Sequence, residues 1–127
     1  MDRDFQRFLG GPNLANARRL HVTINPQRLL RFNSHTYQML GKPDAVRLYF
    51  SEKRDMIGVE VSSPRLNDAF PVMPTGTGFR VNAAPFLRHF NICVDRTLKF
   101  VNPEISGREL FLNLGEVISV AIKKRKK

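Results

Sequence analysis

Apolar and polar residues alternate in short runs along this chain, and each run ends at a turn. Residues 46–50 (VRLYF) alternate, and residues 57–61 (IGVEV) alternate again after the charged loop at residues 51–55. A period of two places every second side chain on the same face of a β-strand. The alternation therefore predicts a mainly β protein whose strands are buried on one face.

The order of predicted elements in residues 28–61 returns in residues 79–114. Each half contains a strand, an Asn-capped helical turn, a second strand, a hairpin and a third strand. The alignment matches Arg31 with Arg80, Asn33 with Asn82, residues 46–50 with 97–101, and residues 57–61 with 110–114. One such unit cannot cover its own apolar face, so two units related by an approximate two-fold axis predict a small duplicated β-barrel with two short helices. An open α+β sheet domain is the alternative.

The first half resembles a known structural unit. Residues 31–41 (RFNSHTYQMLG), followed by the strand at residues 46–50, resemble the unit of AbrB/SpoVT-type barrels, also called cradle-loop barrels. The shared pattern is a strand, a short helix ending in Leu40-Gly41, and a second strand. Two chains supply one unit each in AbrB-type transcription factors. The resemblance implies that this chain carries both units.

The chain also departs from the AbrB-type pattern. The family's unit has a proline at the start of its short helix, where Ser34 or His35 stands in the first half. Pro85 occupies a slightly later position in the second half. Duplicated barrels of this group include domains that do not bind DNA. The resemblance covers residues 28–114 and implies a fold more strongly than it implies a function.

A chain of 127 residues is long enough for one domain, which we place at residues 20–122. Residues 1–19 are predicted to form an N-terminal arm, because Gly10-Gly11-Pro12 interrupts any helix there. Phe5 and Phe8 would let this arm dock on a second subunit, which makes a homo-oligomer an expectation. Residues 123–127 (KKRKK) form a basic tail.

The net charge of +10 is high for this length and favours a polyanionic partner. Arginine outnumbers lysine, and arginine suits bidentate contact with phosphates and guanine edges. The alternative is that these arginines form surface ion pairs with Asp44, Asp95 or Glu60. The candidate nucleic-acid-binding residues are Arg28, Arg31, Arg47, Arg80, Arg88, Lys123, Lys124, Arg125, Lys126 and Lys127.

The sequence contains no recognisable catalytic, metal or cofactor motif. His21, His35 and His89 are far apart, so no spaced ligand pair predicts a metal site. Cys93 lies among apolar neighbours and is expected to be a small buried residue rather than a nucleophile. The glycines of residues 76–78 (GTG) are expected to form a turn. With no signal peptide, no long apolar run and a single cysteine, we expect a cytoplasmic protein that does not associate with membranes.

Together these features favour non-enzymatic nucleic-acid binding, with duplex DNA as the expected ligand and a regulatory or architectural role in a bacterium or phage. The alternative is a protein-interaction or phage structural module with no nucleic-acid role. An enzyme acting on a phosphorylated small molecule is a third class. No residue is singled out for catalysis.

Overall fold

The computed structural model describes residues 19–120. The predicted basic tail and all of the predicted arm except Arg19 lie outside the described residues. The elements follow in chain order as β1 (Val22–Ile24), β2 (Leu29–Asn33), α1 (Ser34–Met39), β3 (Ala45–Ser51), β4 (Met56–Ser62), β5 (Phe70–Pro71), β6 (Met73–Thr75), β7 (Gly78–Asn82), α2 (Ala84–His89), β8 (Leu98–Phe100), β9 (Glu104–Ser106), β10 (Glu109–Asn113) and β11 (Val117–Ser119).

The strands form two antiparallel sheets. In the first sheet the strand order is β11-β8-β1-β2-β7-β6, and in the second sheet it is β5-β3-β4-β10-β9. Both sheets contribute to one apolar core, which includes Ile24, Leu30 and Val81 from the first sheet and Val59 and Leu112 from the second. The predicted alternation produces this arrangement, because every second side chain of a strand points toward the opposite sheet.

The prediction of a mainly β protein with two short helices is confirmed. Within residues 19–120 the two sheets do not close into a barrel, and this arrangement fits the open-sheet alternative. Pro71 lies in the edge strand β5, and Pro74 lies in the edge strand β6. Proline has no backbone N–H to donate and is confined largely to edge strands, so both residues suit strands that end a sheet.

Two strand pairings join residues 28–61 to residues 79–114. β2 pairs with β7, and Arg31 lies directly opposite Arg80. β4 pairs with β10, and Gly58 lies directly opposite Phe111. The matched residues Arg31 and Arg80 thus face each other, as an approximate two-fold axis between them requires. A true duplication stays a prediction.

One part of the predicted alignment is wrong. Residues 46–50 belong to β3 in the second sheet, whereas β8 at Leu98–Phe100 belongs to the first sheet, where it pairs with β1. In the second sheet β3 lies beside β4, and the strand at the equivalent position beside β10 is β9. The sequence pattern does not distinguish these strands, because alternation defines a buried face without specifying which sheet it faces.

The two short helices begin differently. Asn33 caps α1, and its side-chain oxygen accepts a hydrogen bond from the Thr36 backbone N–H at 3.0 Å. The Asn33 side-chain amide also donates to the Arg19 carbonyl at 2.7 Å. Asn82, the predicted cap of the second helix, accepts a hydrogen bond from the Ala84 N–H at 3.1 Å, but α2 has Ala83 at its N-cap position. The Asn33 side chain therefore connects α1 to the segment before β1, whereas the Asn82 bond lies within the start of α2.

We predict that Asn33→Ala destabilises the fold by about 2 kcal/mol, the upper end for loss of an N-cap. The hydroxyl of Thr36, which is fully buried, would lose the Asn33 oxygen as its acceptor. Asn82→Ala is the matched control and should cost well under half as much, because Asn82 is exposed. Urea denaturation of both variants measures the difference. Equal losses would contradict the central role of the Asn33 cap.

Candidate nucleic-acid interface

The outer surface of the first sheet carries a row of cations. Leu30 and Phe32 of β2 are buried in the core, so Arg31 between them points outward. The strand register continues this position across the sheet, with Lys99 opposite Thr23, Thr23 opposite Arg31, and Arg31 opposite Arg80. We call Arg31, Arg80 and Lys99 the basic face.

Arg31 and Arg80 occupy the centre of the basic face as a like-charged cross-strand pair. Directly opposite residues in an antiparallel pair have Cβ atoms about 4.5–5.5 Å apart, and like charges there are destabilising. Within residues 19–120, no carboxylate lies within ion-pair distance of either guanidinium. Among the described residues, the two cations are therefore concentrated on one surface without a compensating carboxylate, as is expected of a surface that binds an anion.

A groove of about 570 Å³ lies beside Arg31 on the same side of the sheet, and Arg80 and Lys99 are not part of its lining. Its lining includes His21, Thr23 and Arg31 on the sheet and the β6–β7 turn at residues 75–78. Gly78 is required in this turn because a Cβ atom would lie 2.7 Å from the Phe32 carbonyl oxygen. The expectation that the glycines of residues 76–78 form a turn is confirmed, and Gly76 adopts a positive φ of 53°.

His21 adds a titratable group to the groove. Partial burial of its imidazole lowers the His21 pKa below the ordinary value of 6.5, and the nearby positive charge of Lys99 lowers it further. The imidazole is therefore mostly neutral at pH 7. It offers a hydrogen bond to a ligand there and becomes a further cation only in more acidic solution.

Arg28 and Arg88 come together elsewhere. Both line a separate groove of about 430 Å³ with Asn91, Cys93 and Asp95. Arg28 lies in the β1–β2 turn with a φ of 67°, and its carbonyl accepts a hydrogen bond from the Ala83 N–H at 2.9 Å. This groove contains Asp95, so it is less positive than the basic face.

Arg47 is held by acidic residues on the second sheet. Its guanidinium lies 3.1 Å from the Asp68 carboxylate and 3.9 Å from the Glu60 carboxylate. The predicted ion pair with Glu60 is therefore present for Arg47, but its closer partner is Asp68, which was not predicted. Arg47 does not join Arg31 and Arg80. The remaining candidates, Lys123 to Lys127, lie outside the described residues.

Sequence reasoning missed Lys99, His21 and Thr23. The alternation of Leu98, Lys99 and Phe100 was sufficient to place Lys99 on an outward face of a strand. It did not show that β8 pairs with β1, which brings Lys99 onto the same surface as Arg31. Non-local pairing of this kind depends on the whole fold and is not visible in a short pattern.

The expectation that Cys93 is buried is wrong, because its side chain is exposed. It follows α2 in a loop where the flanking Ile92 and Val94 are half-buried, so the residue between them points outward. Within residues 19–120, no three His, Cys, Asp or Glu side chains are grouped to hold a metal ion. In the same range, no helix is both long and apolar enough to cross a bilayer.

Comparison with protein-family models, with curated proteins and with solved structures finds no match to this chain. Its function is therefore inferred from its own residues.

We predict that Arg80→Thr stabilises the fold at low ionic strength by roughly 0.2–1 kcal/mol, because it removes the repulsion between opposed cations and keeps a good strand former. The gain should shrink at high salt, where exposed charges are screened. Urea denaturation at low and high salt measures both effects. Arg54→Thr in the exposed β3–β4 turn is the control and should change stability little. A loss of stability in Arg80→Thr would contradict uncompensated repulsion.

His21 should make stability depend on pH. The unfolded chain has the higher His21 pKa, so it binds the proton first as pH falls below about 6.5. The contribution of His21 to the free energy of unfolding is fully present above pH 6.5. It is lost as the pH falls toward the lowered His21 pKa of the folded state. His21→Gln should therefore flatten the stability profile between about pH 7.5 and 5. A profile unchanged by the substitution would contradict the lowered pKa.

Proposed function

We propose that this protein binds nucleic acid through the basic face and acts as a non-enzymatic regulatory or architectural protein of the bacterial or phage cytoplasm. The observation that carries the proposal is the position of Arg31 opposite Arg80, with no carboxylate among the described residues to compensate either charge. A phosphate backbone supplies the missing negative charge at regular intervals.

The spacing of the basic face suits a run of phosphates. Neighbouring strands lie about 4.8 Å apart, and Lys99 and Arg80 are separated by three strand intervals. The cations therefore span roughly 14 Å, which matches the rise of about four base pairs along the axis of a duplex. Each guanidinium can hold two oxygens of one phosphate, and the groove beside Arg31 leaves space for the adjoining sugars.

The relation between the halves supports duplex DNA as the ligand. Arg31 and Arg80 are matched positions of the predicted repeat, and they flank the position where an approximate two-fold axis would pass. A DNA duplex has two-fold character of its own, so a symmetric pair of cations can contact both strands alike. The same relation supports our inference that the chain is a fused pair of AbrB-like units.

A protein-interaction or phage structural module is the second candidate, and a specific observation favours it. The row that contains the basic face ends in Met73 on one side and Ile118 on the other, and their side chains are 48% and 53% exposed. Methionine is enriched at protein–protein interfaces, and exposed apolar side chains beside the charged residues would add contact area to such an interface. The acidic partner would then be a protein surface instead of a nucleic acid.

We predict that a labelled DNA duplex binds the full chain with strong salt dependence and that Arg31→Ala/Arg80→Ala lowers the slope of log affinity against log salt by about 1.8, or 0.9 for each lost phosphate contact. Fluorescence anisotropy at several salt concentrations measures the slope. The matched control is Arg54→Ala/Arg65→Ala, which removes the same charge from exposed loops and should leave the slope nearly unchanged.

Deletion of residues 123–127 should lower the slope for every DNA sequence, because lysine contacts to phosphate read no bases. The paired arginine variant should cost more affinity than this deletion, since arginine forks fixed on a sheet are better pre-organised. Equal losses in the arginine variant and in its control would contradict a localised site. Absence of binding at about 50 mM salt, where non-specific attraction is strong, would eliminate the nucleic-acid function and favour the interaction module.

A further inference from the structure

The outer surface of the second sheet differs from the basic face in both charge and shape. The register places Tyr49 and Phe111 on either side of Gly58, so the three residues form one cross-strand row. In the neighbouring row, Glu60 lies between Arg47 and Glu109. These two rows bound a groove of about 260 Å³ lined by Tyr49, Gly58, Val59, Glu60, Glu109 and Phe111, which we call the aromatic groove.

Gly58 leaves the floor of the aromatic groove open. It lies in the middle of β4, where a glycine lowers the stability of the fold by roughly 0.5–1 kcal/mol relative to an alanine. Its conformation does not require glycine, because its φ is not positive and a Cβ atom would meet only the Tyr49 Cβ, at an ordinary 3.5 Å. Close approach of a ligand to the backbone is one of the reasons for which a strand retains such a glycine.

The walls of the groove are aromatic. The Tyr49 side chain is 50% exposed, and Phe111 is half-buried. The Tyr49 hydroxyl donates a hydrogen bond to a Glu60 carboxylate oxygen at 2.7 Å, which holds the ring beside Gly58. The faces of aromatic rings attract cations, and a guanidinium can also stack flat against them.

Two carboxylates lie opposite each other at one end of the groove. Glu60 faces Glu109 across β4 and β10, and this like-charged pair is unfavourable without a cation. Arg47 reaches Glu60 only at 3.9 Å and lies closer to Asp68. Within residues 19–120, no cation lies within ion-pair distance of Glu109. The end of the groove therefore retains negative charge.

We propose that the aromatic groove binds an arginine side chain from a basic segment of a partner protein. The aliphatic part of the side chain lies on Gly58 between the two rings, and the guanidinium reaches Glu60 and Glu109. This site lies on the sheet opposite the basic face and does not depend on nucleic-acid binding. Its negative charge repels phosphate and favours a basic peptide.

The test uses the full chain and a short capped peptide with one arginine, Gly-Ser-Gly-Arg-Gly-Ser-Gly. Titration followed by amide NMR should shift the Gly58, Glu60 and Phe111 signals. The matched peptide with neutral citrulline in place of arginine should bind at least about fivefold more weakly, because the cation–aromatic and carboxylate contacts are lost. Equal binding of the two peptides, or shifts confined to other surfaces, would overturn the proposal.

Three variants locate the site. Glu109→Gln should weaken binding about fivefold, and Gly58→Val should weaken it further by filling the floor with a side chain that suits a strand. The control Glu52→Gln removes a carboxylate in the exposed β3–β4 turn and should have no effect. Since Glu109 is an exposed position, its variant remains informative if Gly58→Val fails to fold.

The remaining outcomes also decide the proposal. Arg31→Ala/Arg80→Ala should bind the peptide normally, which separates this site from the proposed nucleic-acid function. Loss of peptide binding in that variant would overturn the proposal. Concentration-dependent self-association that Glu109→Gln abolishes would identify the occupant as a second copy of this chain and would also contradict a separate partner.

Discussion

The antiparallel pairing of β2 with β7 is the constraint on which the rest of this structure depends. On its inner side this pairing buries Leu30, Phe32 and Val81. Burial of each such side chain stabilises the folded state by about 1.5–3 kcal/mol. On its outer side the pairing places Arg31 opposite Arg80, at a cost of only about 0.2–1 kcal/mol. Burial therefore outweighs repulsion, and the fold holds two cations together on the surface.

This balance connects the core to the proposed function. A second pairing, β4 with β10, likewise buries Val59 and Leu110 inside while Glu60 faces Glu109 outside. The two sheets thus carry like-charged pairs of opposite sign on their outer faces. The core between them keeps the two outer surfaces apart, so a polyanion on one and a cationic side chain on the other are compatible with each other.

Local features of this fold could be predicted from the sequence, and non-local features could not. Alternation identified the strands at residues 46–50 and 57–61, and turn chemistry identified Asn33 as a helix cap with Gly41 as the stop. Those signals depend on neighbouring residues only. The assignment of residues 97–101 as the counterpart of residues 46–50 failed because both segments have a strand pattern and only tertiary pairing separates them.

The candidate site was predictable to a similar extent. The sequence alone matches Arg31 with Arg80, because each lies two residues before an asparagine, Asn33 or Asn82, that precedes a predicted short helix. Lys99 joins the basic face because β8 pairs with β1, and Arg47 forms an ion pair with Asp68. Both contacts depend on which strands and loops meet in the folded structure. Cys93 was misassigned because the polarity of its neighbours indicates that a segment packs, without indicating which of its residues points inward.

Mapping of a bound DNA duplex by amide NMR tests the central claim most directly. A duplex of about 15 base pairs, titrated at low salt, should shift amide signals of β1, β2, β7 and β8 around Arg31 and Arg80, because these strands form the basic face. Signals of β3, β4 and β10 should remain in place. Shifts concentrated on the second sheet, or spread evenly over both sheets, would contradict the basic face as the binding surface.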